Sequence, residues 1–296
     1  MTGFEHTAVL LAEVLGQLAP VPGGTYADVT VGGGGHARAI LKRSAPDGRL
    51  IATDRDPNAI DAARAALGEF GQRIIFRKAR IGELRDVLTS LDIQQVDGIV
   101  ADLGVSSAQL DQAERGFSMA KNGPIDMRMD PTESDSALDL IARSDAEELA
   151  NLIYRYGEEH RSRKIARAIR HAYEEGELET TADLRRAVHR ATGPRRGRID
   201  PSTKTFQALR IAVNDELGEL ESLLEQVPSV LRPGGVVAVI SFHSLEDRIV
   251  KHGFRESENL VPLTKRPIIA SEAEREANPR SRSAKLRAAR RLETAA

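Results

Sequence analysis

The sequence predicts an α/β fold, a parallel sheet with helices on both faces, into which a mainly helical domain is inserted. Strand patterns at 26–31, at 73–76, at 96–102 and in a segment that ends at Asp54 alternate with helical patterns. This alternation is typical of a parallel sheet, whose ligands bind beyond the carboxyl ends of the strands. The next strand pattern, at 236–241, begins more than 130 residues later, although a crossover needs only about a dozen residues.

A glycine run connects the first predicted strand to a helix. Gly32 to Gly35 follow the strand at once, and His36 to Arg43 has a helical composition. Glycines at such a turn adopt positive φ without a Cβ penalty and let the backbone approach a ligand, and the helix directs free N–H groups towards it. Asp54 lies 22 positions after Gly32, near the spacing of about 20 residues at which an acidic side chain meets ribose hydroxyls. The unit is therefore predicted to bind an adenosine-type ligand, although a plain strand–helix connection also uses glycines.

The spacing of these residues leaves two ligands open. The pattern Gly32-x-Gly34-x-x-Ala37 fits the dinucleotide fingerprint, and the pattern Asp28-x-Thr30-x-Gly32-x-Gly34 is similar to the loop of S-adenosylmethionine enzymes. Strand patterns near 260–270 and 283–290 would return to the sheet edge and complete seven strands, which is the layout of methyltransferase sheets. This layout favours S-adenosylmethionine over a nicotinamide cofactor, and no Tyr-x-x-x-Lys arrangement supplies a hydride relay.

The long segment before the fifth strand indicates a helical domain. Its helical patterns cover 136–141, 145–156, 158–174, 181–190 and 203–227. We expect a discontinuous cofactor-binding domain at 1–108 and 203–296, and an inserted substrate-recognition domain at 109–202. A further helix is expected at 6–18, before the first strand.

The composition excludes several kinds of protein. The 296 residues contain no cysteine, which rules out disulfides and thiolate metal sites, and the seven dispersed histidines do not form a ligand set, so no metal is predicted. No apolar run approaches the ~18 residues that span a bilayer, and the chain does not open with a basic segment followed by an apolar one. The sequence therefore predicts a cytoplasmic protein without a membrane partner.

Charge is distributed unevenly along a chain whose formal net charge is only −2. Residues 161–210 contain thirteen Lys and Arg against six acids, and residues 275–291 contain seven against one. Two basic blocks on a nearly neutral chain favour a nucleic-acid partner, although a single run of this kind is usually a solvated helix face. Arg195 and Arg196, in a Gly-Pro-Arg-Arg-Gly-Arg segment, are the predicted substrate contacts.

Longer motifs carry a resemblance to a known family. They include H-T-A-V-L-L-A-E-V-L from His6, T-D-R-D-P from Thr53, A-D-L-G-V-S-S-A-Q-L-D from Ala101, G-P-I-D-M-R-M-D from Gly123 and S-F-H-S-L-E-D-R-I-V-K from Ser241. With these motifs the chain resembles the RsmH (MraW) family, the bacterial 16S ribosomal RNA cytosine-N4 methyltransferases, nearly from end to end.

The resemblance implies a fold, an activity and a partner. The fold is a Rossmann-like class I methyltransferase sheet with an inserted helical domain. The activity is methylation, with S-adenosylmethionine as donor, of N4 of a cytidine in the decoding region. The implied partner is 16S rRNA in the small ribosomal subunit, in the cytoplasm, and the sequence is compatible with a homodimer.

Cofactor residues follow from the same resemblance, motif by motif. They would be Gly34, Gly35, His36, Asp54, Ile81, Asp102 and Gln109. Relatives often carry Phe at the position of Ile81, and this departure suits a residue that packs against adenine.

Methyl transfer to a cytosine amine needs a proton acceptor, because the lone pair of that amine is delocalised into the ring. Asp102 is the predicted acceptor, and the alternative is an acid that only orients the cofactor or caps the loop. His243 is the second catalytic candidate, with helix capping as its alternative. Phe242 either stacks on a flipped base or fills the core, and Arg128 is expected to reach substrate or cofactor.

Two further functions remain open from the residues alone. One is another S-adenosylmethionine-dependent amino-methyltransferase that acts on DNA or RNA. The other is a non-catalytic RNA binder in ribosome assembly, although binding RNA would require neither the glycine turn nor Asp54 and Asp102.

Overall fold

The computed structural model describes residues 8–133, 135–193 and 200–293. The chain forms two compact units, one from Met1–Gly104 and Leu217–Ala296 and the other from Val105–Glu216. The expected insert, 109–202, lies within the second unit, which also takes in the helix that follows at 203.

The first unit is built on a sheet that has eight strands among the described residues. In chain order they are β1 (Thr25–Asp28), β2 (Arg49–Asp54), β3 (Ile74–Lys78), β4 (Val96–Asp102), β5 (Leu231–Ser241), β6 (Leu260–Pro262), β7 (Ile268–Ile269) and β8 (Lys285–Arg291). The spatial order is β3-β2-β1-β4-β5-β8-β6, and β7 also pairs with β8. Strands β1 to β5 are parallel, and β8 runs antiparallel to its neighbours. The predicted parallel sheet with returning late strands is confirmed.

Helices lie between the parallel strands, as the alternating patterns predict. Those of the first part of the chain are α1 (Leu11–Leu18), α2 (Gly35–Arg43), α3 (Pro57–Leu67) and α4 (Leu84–Ser90). The second unit contains α5 (Ser107–Asp111), α6 (Ala137–Arg143), α7 (Ala146–Gly157), α8 (Ser162–Glu174), α9 (Thr181–Thr192) and α10 (Thr203–Asn214). The last three are α11 (Glu216–Val230), α12 (Ser244–Glu256) and α13 (Glu272–Ala277).

Apolar residues cover both faces of the sheet. Along β5, Val236, Ala238 and Ile240 belong to one buried cluster, and Val237 and Val239 belong to another. Successive side chains of a strand point to opposite faces, so both faces of β5 are buried. This is why its sequence is a continuous apolar run rather than an alternating one.

The last predicted strand region differs from the structure. The single strand expected near 260–270 is two short strands, β6 and β7, so the sheet has eight strands and not seven. Pro262 ends β6 and Pro267 lies just before β7, and proline has no N–H to donate to a strand ladder.

Two helix predictions are also corrected. The helix expected at 203–227 is divided, because Asp215 adopts a left-handed conformation with φ of 49° and donates its N–H to the carbonyl of Ile211. The helix expected at 6–18 begins at Leu11, and its first two residues lie outside the described part of the chain.

The second unit has a separate apolar core. On α8 the buried side chains are Ile165, Ala166, Ile169 and Ala172, which is the spacing of one face of a helix. They pack with buried residues of α7, α9 and α10, among them Ile153, Leu184 and Leu209. Within the part of the chain that the structure describes, no helix combines the length and the apolar character that crossing a membrane requires.

Candidate functional site

The glycine turn lies at the carboxyl edge of the sheet, between two strands. After β1 ends, the N–H of Val29 still donates to the carbonyl of Val100 at 3.0 Å, and the N–H of Val31 donates to the carbonyl of Thr53 at 2.9 Å. The turn is therefore fixed to β4 on one side and to β2 on the other. This arrangement brings the residues that end β1, β2 and β4 to one edge, as the sequence predicts.

The turn itself depends on two glycines for reasons of conformation and packing. Gly34 has φ of 82°, in the left-handed region, and a Cβ there would lie 2.9 Å from Cδ1 of Leu67. A Cβ on Gly35 would lie 2.8 Å from Cβ of Ala8. Part of the glycine requirement therefore comes from neighbouring protein atoms, and not only from the close approach of a ligand. The first amides of α2 have no carbonyl within the helix to bond, so they are suited to an anionic or polar ligand group.

Asp54 is hydrogen-bonded to this turn. Its Oδ2 accepts the N–H of Gly32 at 3.0 Å, and its Oδ1 accepts the N–H of Asp56 at 2.9 Å. Burial raises the pKa of Asp54 to about 6, and these two N–H groups oppose the rise. A carboxylate oxygen accepts two hydrogen bonds, so each oxygen can still bond a ligand hydroxyl.

Three side chains form a compact acid–base group beneath the turn. His36, on the first turn of α2, is 5% exposed, and its Nε2 lies 3.7 Å from Oδ2 of Asp102. Burial opposes the charged imidazole, but Asp102 and Asp28 outweigh it and raise the pKa of His36. Asp28 is only 1% exposed, and burial raises its pKa to about 7 although His36 pulls it down.

Buried polar atoms without partners mark the same place. Three buried atoms have no hydrogen-bond partner among residues 8–133, 135–193 and 200–293: the two ring nitrogens of His36 and Oδ1 of Asp102. The 3.7 Å separation between the two side chains is too long for a hydrogen bond. Unsatisfied buried polar groups are costly and rare in folded proteins, so these atoms are suited to a bound polar molecule.

The turn that carries Ile81 is held by α11. The N–H of Gly82 donates to Oε2 of Glu219 at 3.0 Å, and Nη1 of Arg80 lies 3.2 Å from Oε1 of the same carboxylate. The side-chain amide of Gln226 donates to the carbonyl of Gly82. Ile81 itself is half-buried, and nearby the N–H of Ala79 bonds to the carbonyl of Asp54 at 3.1 Å.

Phe242 and His243 follow β5, the strand beside β4. The ring of Phe242 is half-buried beside Gly104, where a Cβ would lie 3.5 Å from its Cδ2. His243 is the N-cap of α12: its Nδ1 accepts the N–H of Glu246 at 3.4 Å, and its Nε2 lies 3.1 Å from Oε1 of Glu246. The structure therefore gives His243 the capping role that the sequence offered as an alternative.

The remaining predicted residues belong to the second unit. Gln109 is 4% exposed, and its Oε1 accepts the N–H of Ser106 in the capping box of α5. Arg128 makes a bidentate pair with Asp126, with Nε–Oδ1 and Nη2–Oδ2 distances of 3.0 and 2.7 Å. That hydrogen-bonded carboxylate raises the pKa of Arg128. Arg195 and Arg196 lie outside the described residues.

Sequence reasoning did not select three residues that shape the site. They are Asp28, Thr30, whose Oγ1 accepts the N–H of Asp102 at 2.6 Å, and Glu219. The pattern that begins Asp28-x-Thr30 was a usable signal for the first two. No local signal points to Glu219, because it meets the Ile81 turn from 137 residues further along the chain.

Comparisons with known proteins show the family of this chain. Residues 3–292 match the MraW methylase family. The chain is 56% identical to ribosomal RNA small subunit methyltransferase H of Sorangium cellulosum, across 98% of this chain and 92% of that protein. It is 52% identical to the protein of the same name from Trichormus variabilis, across 97% and 92%. Among solved structures, TrmN from Thermus thermophilus covers 96% of this chain and 48% of its own, at 14% identity and a TM-score of 0.45.

Proposed function

The chain belongs to the MraW methylase family, and on that premise we propose that it methylates N4 of a cytidine in the decoding region of 16S rRNA, with S-adenosylmethionine as donor. Relatives that align over nearly the whole chain are named as methyltransferases of the small-subunit ribosomal RNA. The observation that supports the assignment most directly is the group of unpartnered buried atoms on His36 and Asp102 beside the glycine turn.

The residues around the turn fit the proposed cofactor. Gly34 gives the turn its left-handed conformation, and the amides of Gly35 and His36 open α2 as free donors. Asp54 has acceptor capacity for ribose hydroxyls, and Ile81 offers an apolar side chain for adenine on a turn that Glu219 holds. When bound, S-adenosylmethionine supplies a methyl group on a positively charged sulfur, which an amine can displace.

Asp102 is the proposed proton acceptor. A carboxylate that bonds the N4–H groups of cytosine returns electron density to nitrogen and takes the proton that leaves when the N–C bond forms. The side chain is 26% exposed although its Oδ1 is buried, so Oδ2 is the oxygen that can meet the amine and pass the proton to solvent afterwards. This is general base catalysis, which contributes about 10²–10⁴-fold in typical enzymes.

Phe242 and His243 are proposed to act on the base and on the proton path. The ring of Phe242 has one side against the core and lies near Gly104, two residues beyond Asp102, which suits stacking on a flipped cytosine. His243 caps α12 through Nδ1, while its buried Nε2 lies 3.1 Å from Oε1 of Glu246 without a hydrogen bond. Because the cap occupies Nδ1 and the ring lies against another carboxylate, we assign proton transfer to Asp102 before His243.

The second unit is proposed to recognise the substrate. Arg128, Arg195 and Arg196 remain the proposed RNA contacts, and Gln109 remains a proposed cofactor contact. With ribosomal RNA as the proposed substrate, the proposed location of the protein is the cytoplasm. A homodimer remains a prediction, which light scattering coupled to size exclusion would test.

The test is transfer of tritiated methyl groups to small subunits that lack the modification, followed by nucleoside mass spectrometry. We expect N4-methylcytidine with the wild-type chain and a loss of at least about 100-fold in rate with Asp102→Asn. The matched control is Asp97→Asn, at the opposite end of β4, which pairs with Arg232 at the surface. A methylated base other than cytosine, or transfer to DNA only, would contradict the proposal.

A further inference from the structure

The second unit has a group of exposed cations that form no ion pair with a described residue. Arg163, Lys164 and Arg167 are exposed on the first half of α8. Among residues 8–133, 135–193 and 200–293, the one hydrogen bond of these side chains is from Nε of Arg167 to the carbonyl of Arg163 at 3.2 Å. Residues three and four apart share one face of a helix, so the three side chains extend from one side of α8.

Other cations of the same unit behave differently. Arg143 pairs with Asp135, Arg186 with Asp183 and Arg190 with Glu177. Further along α8, Arg170 pairs with Glu174 at 3.0 Å. Most basic residues of this unit are therefore compensated. Among the described residues Arg155 and Lys204 also have no acid partner, but only the first half of α8 brings three such cations together on one helix.

The stability of α8 does not explain these cations. Its first turn contains Arg163 and Lys164 and no acid. Positive side chains at a helix N-terminus are opposed by the helix dipole. The long helices α7 and α9 of the same unit have acids in their first turns, whereas α10 has none and has a single cation, Lys204, there. A placement that works against the helix suggests a role outside it.

An exposed aromatic side chain lies at the same corner. Tyr154, near the end of α7, is 57% exposed, and among the described large apolar residues with high exposure it alone is aromatic. Its ring lies 6.3 Å from the ring of His160, which is three residues before Arg163. Two acids lie between Tyr154 and His160: Glu159 is buried and paired with Arg161, and Glu158 is half-buried.

We propose that Tyr154, His160, Arg163, Lys164 and Arg167, here called the α8 surface, bind an unpaired stretch of the substrate RNA. The three cations contact phosphates, and the ring of Tyr154 stacks on one base. Aromatic stacking with phosphate contacts is how proteins hold RNA loops whose bases are unpaired. One aromatic side chain accommodates a single base, which suits a folded RNA rather than a long single strand. The inference rests on the proposed function, because it specifies how that RNA is held.

The experiment compares two triple variants with the same change in net charge. One is Arg163→Gln/Lys164→Gln/Arg167→Gln, and the control is Arg143→Gln/Arg186→Gln/Arg190→Gln, which removes three exposed but paired cations. The Kd of a fluorescent decoding-region RNA and the KM of unmethylated subunits are measured from low to high salt. For single strands, each lost phosphate contact lowers the slope of log K against log salt by about 0.7.

We expect the α8 variant to weaken RNA binding at least about tenfold at 0.1 M salt and to lower the slope by about 2, which corresponds to three phosphates. The rate at saturating RNA and the Kd of S-adenosylmethionine should not change. The control should bind RNA within about twofold of the wild-type chain. Equal losses in both triple variants, or none in the α8 variant, would overturn the proposal.

Tyr154 is tested separately. Tyr154→Ala should weaken RNA binding by about fivefold or more, the usual loss for one stacked base, and Tyr154→Phe should bind as the wild-type chain does. If the wild-type chain, Tyr154→Ala and Tyr154→Phe bind RNA equally tightly, Tyr154 does not stack on a base. If the wild-type chain methylates RNA and every α8 variant binds RNA as tightly as the wild-type chain does, only the proposal for the α8 surface is wrong. Failure of the proposed function is distinct: the wild-type chain would then transfer no methyl group to RNA, and the binding assay would still test the α8 surface.

Discussion

The two units use charge in opposite ways. In the first unit, Asp28, His36 and Asp102 are gathered beneath a turn, two of them almost fully buried. In the second, Arg163, Lys164 and Arg167 are exposed and stand apart from any acid in the described chain. Burial strengthens electrostatic interactions and shifts pKa values. Exposure keeps a cation fully charged at little cost and leaves it free to meet a phosphate.

The difference shows what each task requires of the protein. In the proposed function, a small cofactor and one reacting amine need groups fixed in place, and the first unit fixes Asp102 with bonds such as that from its N–H to Oγ1 of Thr30. A large RNA supplies its own structure, so a second unit that binds RNA as proposed needs mainly charge and one stacking surface. Substitutions that add atoms should therefore be far more harmful at the turn than on the helical unit.

The largest effect is expected from Gly34→Ala. The new methyl group would meet Leu67 at 2.9 Å while the backbone keeps a φ of 82°. Left-handed strain and overpacking together should lower the free energy of unfolding by about 2–4 kcal/mol. Binding of S-adenosylmethionine should also weaken, by at least about tenfold. Calorimetry of binding and urea unfolding measure the two effects.

Two glycines serve as controls for that substitution. Gly176, in the second unit, has a φ of 70° but nothing within 4 Å of a Cβ, so Gly176→Ala should cost only the backbone strain, about 1–2 kcal/mol. Gly68 has an ordinary φ of −57° and open space, so Gly68→Ala should be nearly neutral. If Gly34→Ala and Gly176→Ala behave alike, the turn is less constrained than its contacts indicate.

A smaller effect, specific to the first unit, is a dependence of stability on pH. The pKa of Asp28 is about 7 in the folded chain, against an ordinary value of 3.8. Between these values the folded state binds more protons than the unfolded state, so stability falls as pH rises. The contribution of Asp28 is complete below about pH 4 and is lost as pH rises through 7, and its full size is on the order of 4 kcal/mol. The raised pKa of His36 acts in the same direction.

Asp28→Asn should reduce this dependence. Urea unfolding between pH 4.5 and pH 8 should show a falling free energy for the wild-type chain and a flatter profile for the variant. Asp61→Asn is the control, since this side chain is 77% exposed on α3 and should leave the wild-type profile unchanged. Parallel profiles for the wild-type chain and Asp28→Asn would mean that Asp28 is ionised in the folded state throughout.

The sequence was sufficient for the features that depend on neighbouring residues. Strand ends follow from local apolar patterns, so Asp54 and Asp102 were placed at the correct edge, and the glycine run marked the turn. The division of the helix at Asp215 was missed, because a left-handed non-glycine residue leaves no mark in an otherwise helical pattern. The roles proposed for individual site residues stay predictions.

Local sequence patterns do not predict contacts between distant parts of the chain. Whether Asp28 is half-charged or fully charged depends on how closely His36 and Asp102 pack, which no spacing encodes. His243 has two interpretations in the sequence; the structure shows it as the N-cap of α12 through a bond to Glu246, and its catalytic role stays a prediction. The hydrogen bonds from α11 to the turn that carries Ile81 are also contacts that local patterns do not predict.

The smallest effect is expected from breaking the hydrogen bonds between α11 and the turn that carries Ile81. Glu219 bonds both Gly82 and Arg80, so Glu219→Ala should loosen the turn that is proposed to pack against adenine. Loss of about 1 kcal/mol of the net hydrogen-bond energy corresponds to a rise of about fivefold in the Kd of S-adenosylmethionine. Glu219→Gln keeps an acceptor for Gly82 but not the charge opposite Arg80, so its Kd should be intermediate. Glu221→Ala, an exposed acid two residues further along α11, should bind as the wild-type chain does. A site that depends on its support cannot lose that support and keep its affinity, so equal Kd values for Glu219→Ala and Glu221→Ala would show that the Glu219 carboxylate does not position the adenine site.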